Sequence, residues 1–320
     1  MQKTIGLTTE ALEILEGLKA PKKLISSKFF YDAEGSRIFQ QIMGMPEYYL
    51  TNSEAEIFEI HKNKISALFC SDCRSVDLVE LGAGDGAKTR ILIQDLLDAK
   101  VNFRYVPVDI SQEALIQLGG SMKQQFPDLE MDLRCGDYFH MIEALSRTYP
   151  SRKVVLFLGS NLGNFNMDQS ISFLEQINQA MSDDDLFFIG LDLKKDPDII
   201  RNAYDDPHGY TRDFNLNLLQ RFNRELGADF DTDQFIHSPS YNPRTGKAVS
   251  YLVSNCDQEV YFSLVDETIS FSKWETIYTE MSQKYDLEMI EELAKASGFE
   301  VVEHFFDSRQ YFVNSLWKKE

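Results

Sequence analysis

The sequence predicts an α/β fold built on a parallel sheet, and two observations carry that prediction. Between residues 75 and 193, strand-like and helical stretches alternate: strands near 76–81, 103–109, 130–135, 153–160 and 185–192, helices near 88–99, 111–124, 138–147 and 168–181. The strands are almost continuously apolar, the pattern of a sheet covered on both faces by crossover helices. The second observation is the stretch Asp77-Leu78-Val79-Glu80-Leu81-Gly82-Ala83-Gly84-Asp85-Gly86, which runs into the apolar helix start Ile91-Leu92-Ile93. An apolar run that ends in alternate glycines and opens into a helix is a strand-loop-helix unit, with glycine wherever the backbone must lie against a ligand.

The spacing of that loop selects among ligands. Gly82, Gly84 and Gly86 are one residue tighter than the G-x-G-x-x-G of dinucleotide sites, and no G-x-x-x-x-G-K-[ST] phosphate loop follows. NAD and ATP are therefore not expected. Glu80, at the mouth of the strand, would repel a pyrophosphate and suit a cation. The next strand ends in Asp109, placed to take two ribose hydroxyls. Together these features fit S-adenosylmethionine, a sulfonium cation that carries an unphosphorylated adenosine.

Ligands of open α/β sheets bind at the carboxyl ends of the strands, and here those ends carry polar residues. Besides Glu80 and Asp109 they hold Gly136-Asp137-Tyr138 and Gly159-Ser160-Asn161-Leu162-Gly163-Asn164. Asp137 offers a carboxylate to the adenine amino group and Tyr138 a ring to stack on it.

Outside 75–193 the pattern changes. Helices are expected over 8–20, with an aromatic loop at 29–39, a turn at 45–51, and a helix Glu54–Ala67 capped by Asn52 or Ser53, its Glu54 facing the positive helix end. Helical stretches follow near 194–206 and 209–226, and Lys247–Val265 reads as a hairpin turning at Asn255-Cys256-Asp257. In the alternating strand Trp274–Tyr285, Tyr278, Glu280 and Ser282 are expected to share one face. A helix at 286–297 and two closing strands return to the sheet. The simplest organisation is a nucleotide-binding domain of 60–193 with 286–320, and a second domain of 1–59 with 194–285, the cleft lying between them.

Composition narrows the partners. With 32 Lys and Arg against 51 Asp and Glu, the net charge is −19, and no basic cluster interrupts it, so neither nucleic acid nor an anionic membrane surface is expected. The first residues carry Glu10, Glu13 and Glu16, unlike a signal or transit peptide, and no apolar run approaches a membrane span, which predicts a cytoplasmic protein. Of Cys70, Cys73, Cys135 and Cys256, two form a C-x-x-C without a second pair at zinc spacing, so free thiols and no metal site are expected. A monomer acting on a small molecule is the expectation.

Several tracts then point to a family. Lys28-Phe29-Phe30-Tyr31-Asp32-Ala33-Glu34-Gly35-Ser36, Pro46-Glu47-Tyr48-Tyr49, Val79-Glu80-Leu81-Gly82-Ala83-Gly84, Leu158-Gly159-Ser160-Asn161-Leu162-Gly163-Asn164, Ala203-Tyr204-Asp205-Asp206 and Thr279-Glu280-Met281-Ser282 resemble the L-histidine Nα-methyltransferases of ergothioneine biosynthesis. They occur in order over nearly the whole chain, and the first two are more specific than the glycine loop. The resemblance implies a class I methyltransferase (Rossmann-like) sheet with an inserted α+β substrate-binding domain. It implies methylation of the histidine α-amine from S-adenosylmethionine, up to the trimethylated betaine hercynine. By motif position it also implies cofactor contacts at Gly82, Lys88, Asp109, Asp137 and Tyr138, substrate contacts at Tyr48, Asn164, Tyr204, Glu280 and Ser282, and Tyr31 near the amine, with Tyr31 and Tyr48 hydrogen-bonding around it during catalysis.

Two positions depart from the family. Tyr138 stands where phenylalanine is common, and Ser250 where the histidine enzymes carry methionine beside the imidazole. Fungal members act on tryptophan derivatives. The alternatives are thus N-methylation of another aromatic amino acid, such as a tryptophan derivative, or a non-catalytic metabolite-binding homologue. Glu280 and Ser282 favour histidine, because an imidazole offers both N–H and N to a carboxylate and a hydroxyl.

Overall fold

The computed structural model describes residues 9–71, 75–136, 138–148 and 151–320. Cys73 and Asp137 lie outside the described residues. By internal contact the chain forms two compact units, Met1–Tyr49 with Lys195–Gln283, and Leu50–Lys194 with Lys284–Glu320.

The first unit opens with helix α1 (Thr9–Lys19), which buries Ile14, Leu15 and Leu18, and a short 3-10 turn at Ser27–Phe30. Helix α2 (Ala33–Met43) follows directly, capped by the Asp32 carboxylate, which accepts from Gly35 N at 2.7 Å. The expected aromatic loop at 29–39 is thus mostly helix, because Asp32 supplies a cap where hydrophobic periodicity showed only aromatics. Gly35 cannot be larger, since a Cβ there would lie 1.8 Å from the Phe30 carbonyl oxygen.

The second unit begins with helix α3 (Tyr49–Phe69). It starts five residues before the expected Glu54, so Ser53 and Glu54 are interior helix residues and Glu54 is buried. The alternating region then gives β1 (Val76–Leu81), α4 (Thr89–Asp98), β2 (Phe103–Asp109), α5 (Gln112–Gln125), β3 (Arg134–Cys135), α6 (Tyr138–Thr148), β4 (Arg152–Phe157), α7 (Met167–Ala180) and β5 (Leu186–Asp192). Ser111 caps α5, and Asn166 with Gln169 forms a capping box on α7. All six residues of β1 are buried, as a central parallel strand requires.

Back in the first unit, α8 (Pro197–Tyr204) carries proline in its first turn and the Asp196 cap, and α9 (Tyr210–Leu226) is held at its start by Asp206, which accepts from Tyr210 N and Thr211 N. Five strands follow: β6 (Phe235–Asn242), β7 (Lys247–Ser254), β8 (Gln258–Phe262), β9 (Glu267–Phe271) and β10 (Thr276–Gln283). They make a three-stranded sheet, order β10-β7-β6, and a two-stranded sheet β8-β9. The expected hairpin of β7 with β8 does not form. β7 pairs with β6 and β10, β8 pairs with β9, and the Asn255-Cys256-Asp257 turn leads from one sheet to the other. The three-stranded sheet and α9 share a core of Phe214, Leu218, Phe222, Phe235, Leu252 and Ile277.

The chain ends in the second unit with α10 (Leu287–Ala296), capped by Asp286, and the antiparallel pair β11 (Phe299–Phe306) and β12 (Phe312–Lys319). The large sheet has seven strands in the order β11-β12-β5-β4-β1-β2-β3, parallel except where β12 runs against both neighbours. Its core includes Val79, Val106, Val155, Phe187 and Trp317. Among the described residues no helix is long and apolar enough to cross a membrane.

Candidate active site

In the second unit the strand order reverses at β1, where one neighbour, β2, follows directly in the chain and the other, β4, is reached only after β2 and β3. Ligands of open α/β sheets bind at such a switch point. The glycine loop lies there. Gly82, Gly84 and Gly86 have φ of +68°, +55° and +64°, a region side chains with a Cβ rarely enter. A Cβ on Gly84 would meet nothing within 4 Å, so that surface is open to a ligand, whereas one on Gly86 would strike Met122 and Leu118 and one on Gly82 would lie 2.9 Å from the Tyr138 hydroxyl. Gly84 serves approach and Gly86 serves packing. At the end of β2, Asp109 is partly exposed, and its Oδ1 accepts from Ser111 N at 2.9 Å. Ile110 beside it is 80% exposed, an apolar surface next to a carboxylate that sequence periodicity gave no reason to single out. Tyr138 is half-buried, its ring edge-on to Phe157 at 6.4 Å.

Glu80 does not face a ligand. It is buried and accepts from Thr89 Oγ1 at 2.6 Å and from the Tyr105 hydroxyl, tying the loop's two flanks together. Burial pushes its carboxyl up to about 7, opposed by those hydrogen bonds. A carboxyl whose folded pKa exceeds its unfolded one holds its proton longer in the native state, so stability falls as pH rises from the unfolded value toward 7. Glu80→Gln, a mimic of the protonated acid, should remove this slope. Thermal unfolding of both proteins should show the variant gaining about 2 kcal/mol relative to wild type between pH 5 and pH 7; parallel curves would reject the assignment.

Lys88, between the glycine loop and α4, meets a partner that the sequence did not indicate. Its ammonium pairs with the Glu54 carboxylate, which also accepts from Gly159 N at 2.9 Å and Asn314 Nδ2 at 2.9 Å. Glu54 thus joins α3, the glycine loop, the end of β4 and β12. Its only sequence signal is Gly190, where a Cβ would lie 2.2 Å from Glu54 Oε1. Lys88 remains 24% exposed, so its charge is not wholly enclosed. Asn164 is partly exposed at the end of the 3-10 turn Asn161–Asn164, which follows β4 through Ser160 in a left-handed conformation, φ +59°. The Ser160 hydroxyl accepts from Asp192 N, which fixes that turn to β5.

The first unit gathers the other expected residues. Tyr48 packs edge-on against Phe39, and Tyr31 against Phe39 and Phe214. Half of the Tyr31 surface is open. Its hydroxyl is nonetheless held above the usual phenol range by desolvation first, then by the nearby Glu280 and Tyr204. Tyr31, Tyr204 and Glu280 therefore lie within electrostatic reach of one another.

On β10 the expectation that Tyr278, Glu280 and Ser282 share a face needs correction. A bulge between Tyr278 and Glu280 shifts the register: Tyr278 pairs with Tyr251, Glu280 with Ser250 and Ser282 with Ala248. Paired residues share a face and successive ones alternate, so Glu280 and Ser282 lie with Ser250 while Tyr278 lies opposite, its ring against Tyr251 at 5.9 Å. Thr279, the extra residue, is anchored through its hydroxyl to Asn215 Oδ1 at 2.6 Å and the Ser250 carbonyl at 3.0 Å.

A seven-stranded sheet with this order and one antiparallel strand, a tight glycine loop after its central strand and a carboxylate ending the next define a class I S-adenosylmethionine-dependent methyltransferase. Within that class the chain belongs to the histidine-specific, S-adenosylmethionine-dependent methyltransferase family, whose profile matches residues 10–319. It is 35% identical over 285 residues to the histidine N-alpha-methyltransferase of Mycolicibacterium smegmatis, covering 89% of this chain and 87% of that one. To the histidine N-alpha-methyltransferase of Mycobacterium tuberculosis it is 34% identical over 307 residues, covering 96% and 94%. The ergothioneine biosynthesis protein 1 of Neurospora crassa is 27% identical over 319 residues, 98% of this chain and 35% of that longer protein.

Proposed function

We propose that this enzyme methylates the α-amino group of L-histidine with S-adenosylmethionine, up to three times, to give hercynine for ergothioneine synthesis. The observation that carries the reading is the shared face of Glu280 and Ser282 beside Tyr31 and Tyr204, in a chain that matches the histidine-specific family almost end to end. A carboxylate and a hydroxyl on one face can engage both nitrogens of an imidazole.

The sulfonium supplies the methyl group by in-line displacement, so the protein's part is positioning, which can contribute up to about 7–11 kcal/mol of barrier lowering. In the proposed assignment Gly82, Lys88, Asp109, Asp137 and Tyr138 hold the methyl donor, Lys88 offering its charge to an amino-acid carboxylate and Asp109 accepting from ribose hydroxyls. Asn164, Tyr204 and Tyr48 hold the amino acid, and Tyr31 and Tyr48 hydrogen-bond around its amine. Tyr31 stays a neutral phenol, so it orients the amine and the proton leaves to water. The division of labour proposed for the two units follows: Leu50–Lys194 with Lys284–Glu320 binds the methyl donor, and Met1–Tyr49 with Lys195–Gln283 reads the amino acid together with Asn164.

The test is mass spectrometry of an amino-acid panel incubated with the enzyme and S-adenosylmethionine. Mono-, di- and trimethylated histidine are expected, and methylation confined to another aromatic amino acid would reject the assignment. On the donor side, Asp109→Ala should weaken S-adenosylmethionine binding by roughly 1.5–3 kcal/mol, about 10–150-fold in Kd. Calorimetry giving an unchanged Kd would remove Asp109 from the ribose site.

A further inference from the structure

Ser250 sits in the middle of a polar row on the buried face of the three-stranded sheet. On one side β10 places Glu280 directly opposite it. On the other side β6 places His237 opposite Leu252, two residues along β7 and therefore on the same face. From that diagonal position His237 Nε2 reaches Ser250 Oγ at 3.3 Å. Ser250 is only 1% exposed, so the direction of its single proton is set by its neighbours.

We propose that His237 is a positioning residue that donates from Nε2 to Ser250 Oγ and so turns the Ser250 proton toward the Glu280 carboxylate, holding it in place to accept the N–H of the substrate ring. The inference rests on the histidine reading given above and deepens it. Glu280 is an acceptor only and can satisfy the ring N–H but not the second nitrogen. Ser282 supplies the missing donor, and a Ser250 hydroxyl whose own oxygen already accepts from His237 has its proton left for Glu280. The polarity holds at neutral pH because burial pushes the His237 imidazole down to about 4, against the pull of Asp205 and Asp206 and with Arg212 adding to the depression, so the ring is neutral and carries one N–H. The carboxylate of Asp206 is occupied by the backbone of α9.

The arrangement gives a role to a buried serine that lies directly opposite Glu280. An indole offers N–H but no ring acceptor for Ser282, so it gains less from a carboxylate held in this way. His237 and Ser250 thereby favour a ring that uses Glu280 and Ser282 together. Neither residue has to touch the reacting amine.

The test is a double-mutant cycle on the full-length enzyme, with kcat and KM measured separately for histidine and tryptophan at saturating S-adenosylmethionine. His237→Phe and Ser250→Ala should each lower kcat/KM for histidine about tenfold, chiefly through KM, and the double variant should be no worse than the poorer single within about twofold. Tryptophan turnover should be unchanged or rise. His237→Gln, whose amide can donate, should recover part of the loss, and if His237→Phe does not fold the cycle is run with His237→Ala instead. Additive losses, or equal losses on both substrates, would overturn the relay while leaving histidine methylation intact. Absence of methylated histidine from the wild-type enzyme would overturn the proposed function, and the relay with it.

Discussion

Lys284→Met should destabilise the protein by about 3–5 kcal/mol, because it removes the cation facing a carboxylate that has no access to water. Lys284 Nζ lies 2.6 Å from Asp192 Oδ2, and both side chains are fully buried. Asp192 ends β5 and its backbone N–H holds the Ser160 hydroxyl, while the backbone of Tyr285 bonds to the Asp192 carbonyl. Loss of the ammonium therefore strains the join between β5 and the chain's return into the sheet. Urea denaturation should show the midpoint falling sharply. Lys284→Met combined with Asp192→Leu should recover most of the stability, since a packed apolar pair avoids the desolvation cost that an ion pair carries. A single variant as stable as wild type would mean that the buried pair is not ionised in the fold.

Glu280→Ala is expected to cost roughly 1.5–3 kcal/mol in transition-state binding of histidine, about 10–150-fold in kcat/KM. The loss should fall on histidine, because a ring N–H would face no acceptor. An apolar aromatic amino acid should lose little or gain, since burying it beside a carboxylate is itself unfavourable. If Glu280 only braces the sheet, all substrates decline together and the melting temperature drops with them. Steady-state kinetics on histidine and tryptophan, with thermal unfolding alongside, separates these outcomes.

The parallel sheet was legible because β1, β2, β4 and β5 are apolar runs punctuated by glycine and polar strand ends, and the structure keeps each within a few residues of its expected span. β3 shrank from 130–135 to Arg134–Cys135, an edge strand in which little burial enforces pairing. Long-range pairing was less legible. The Asn255-Cys256-Asp257 turn looks like a hairpin turn whichever sheet the next strand joins, and β6, with Pro239 and alternate polar residues, lacks an obvious strand signal although an edge position tolerates both. Glu54 was read only as a helix-end acid because its partners Lys88, Gly159 and Asn314 are distant in sequence. Counting by twos along β10 grouped Glu280 with Ser282 correctly and Tyr278 with them wrongly, since no residue type announces a bulge.

That bulge also constrains how this surface can change over generations. Upstream of Thr279 the strand is locked to its neighbours by apolar packing at Ile277 and by the bridge from Leu24 to Tyr278. Downstream it displays Glu280 and Ser282, and the single added residue lets the two halves keep independent phases. Point substitutions can therefore retune Glu280, Ser282 or Ser250 one at a time without disturbing the scaffold. Loss of Thr279 would close the ladder into regular alternation, leaving Tyr278 and Glu280 on opposite faces as they are but removing the hydroxyl that ties the strand to Asn215 and the Ser250 carbonyl. The anchoring hydroxyl at Thr279, more than the length of the strand, is the feature to look for across this segment when diverged copies are compared.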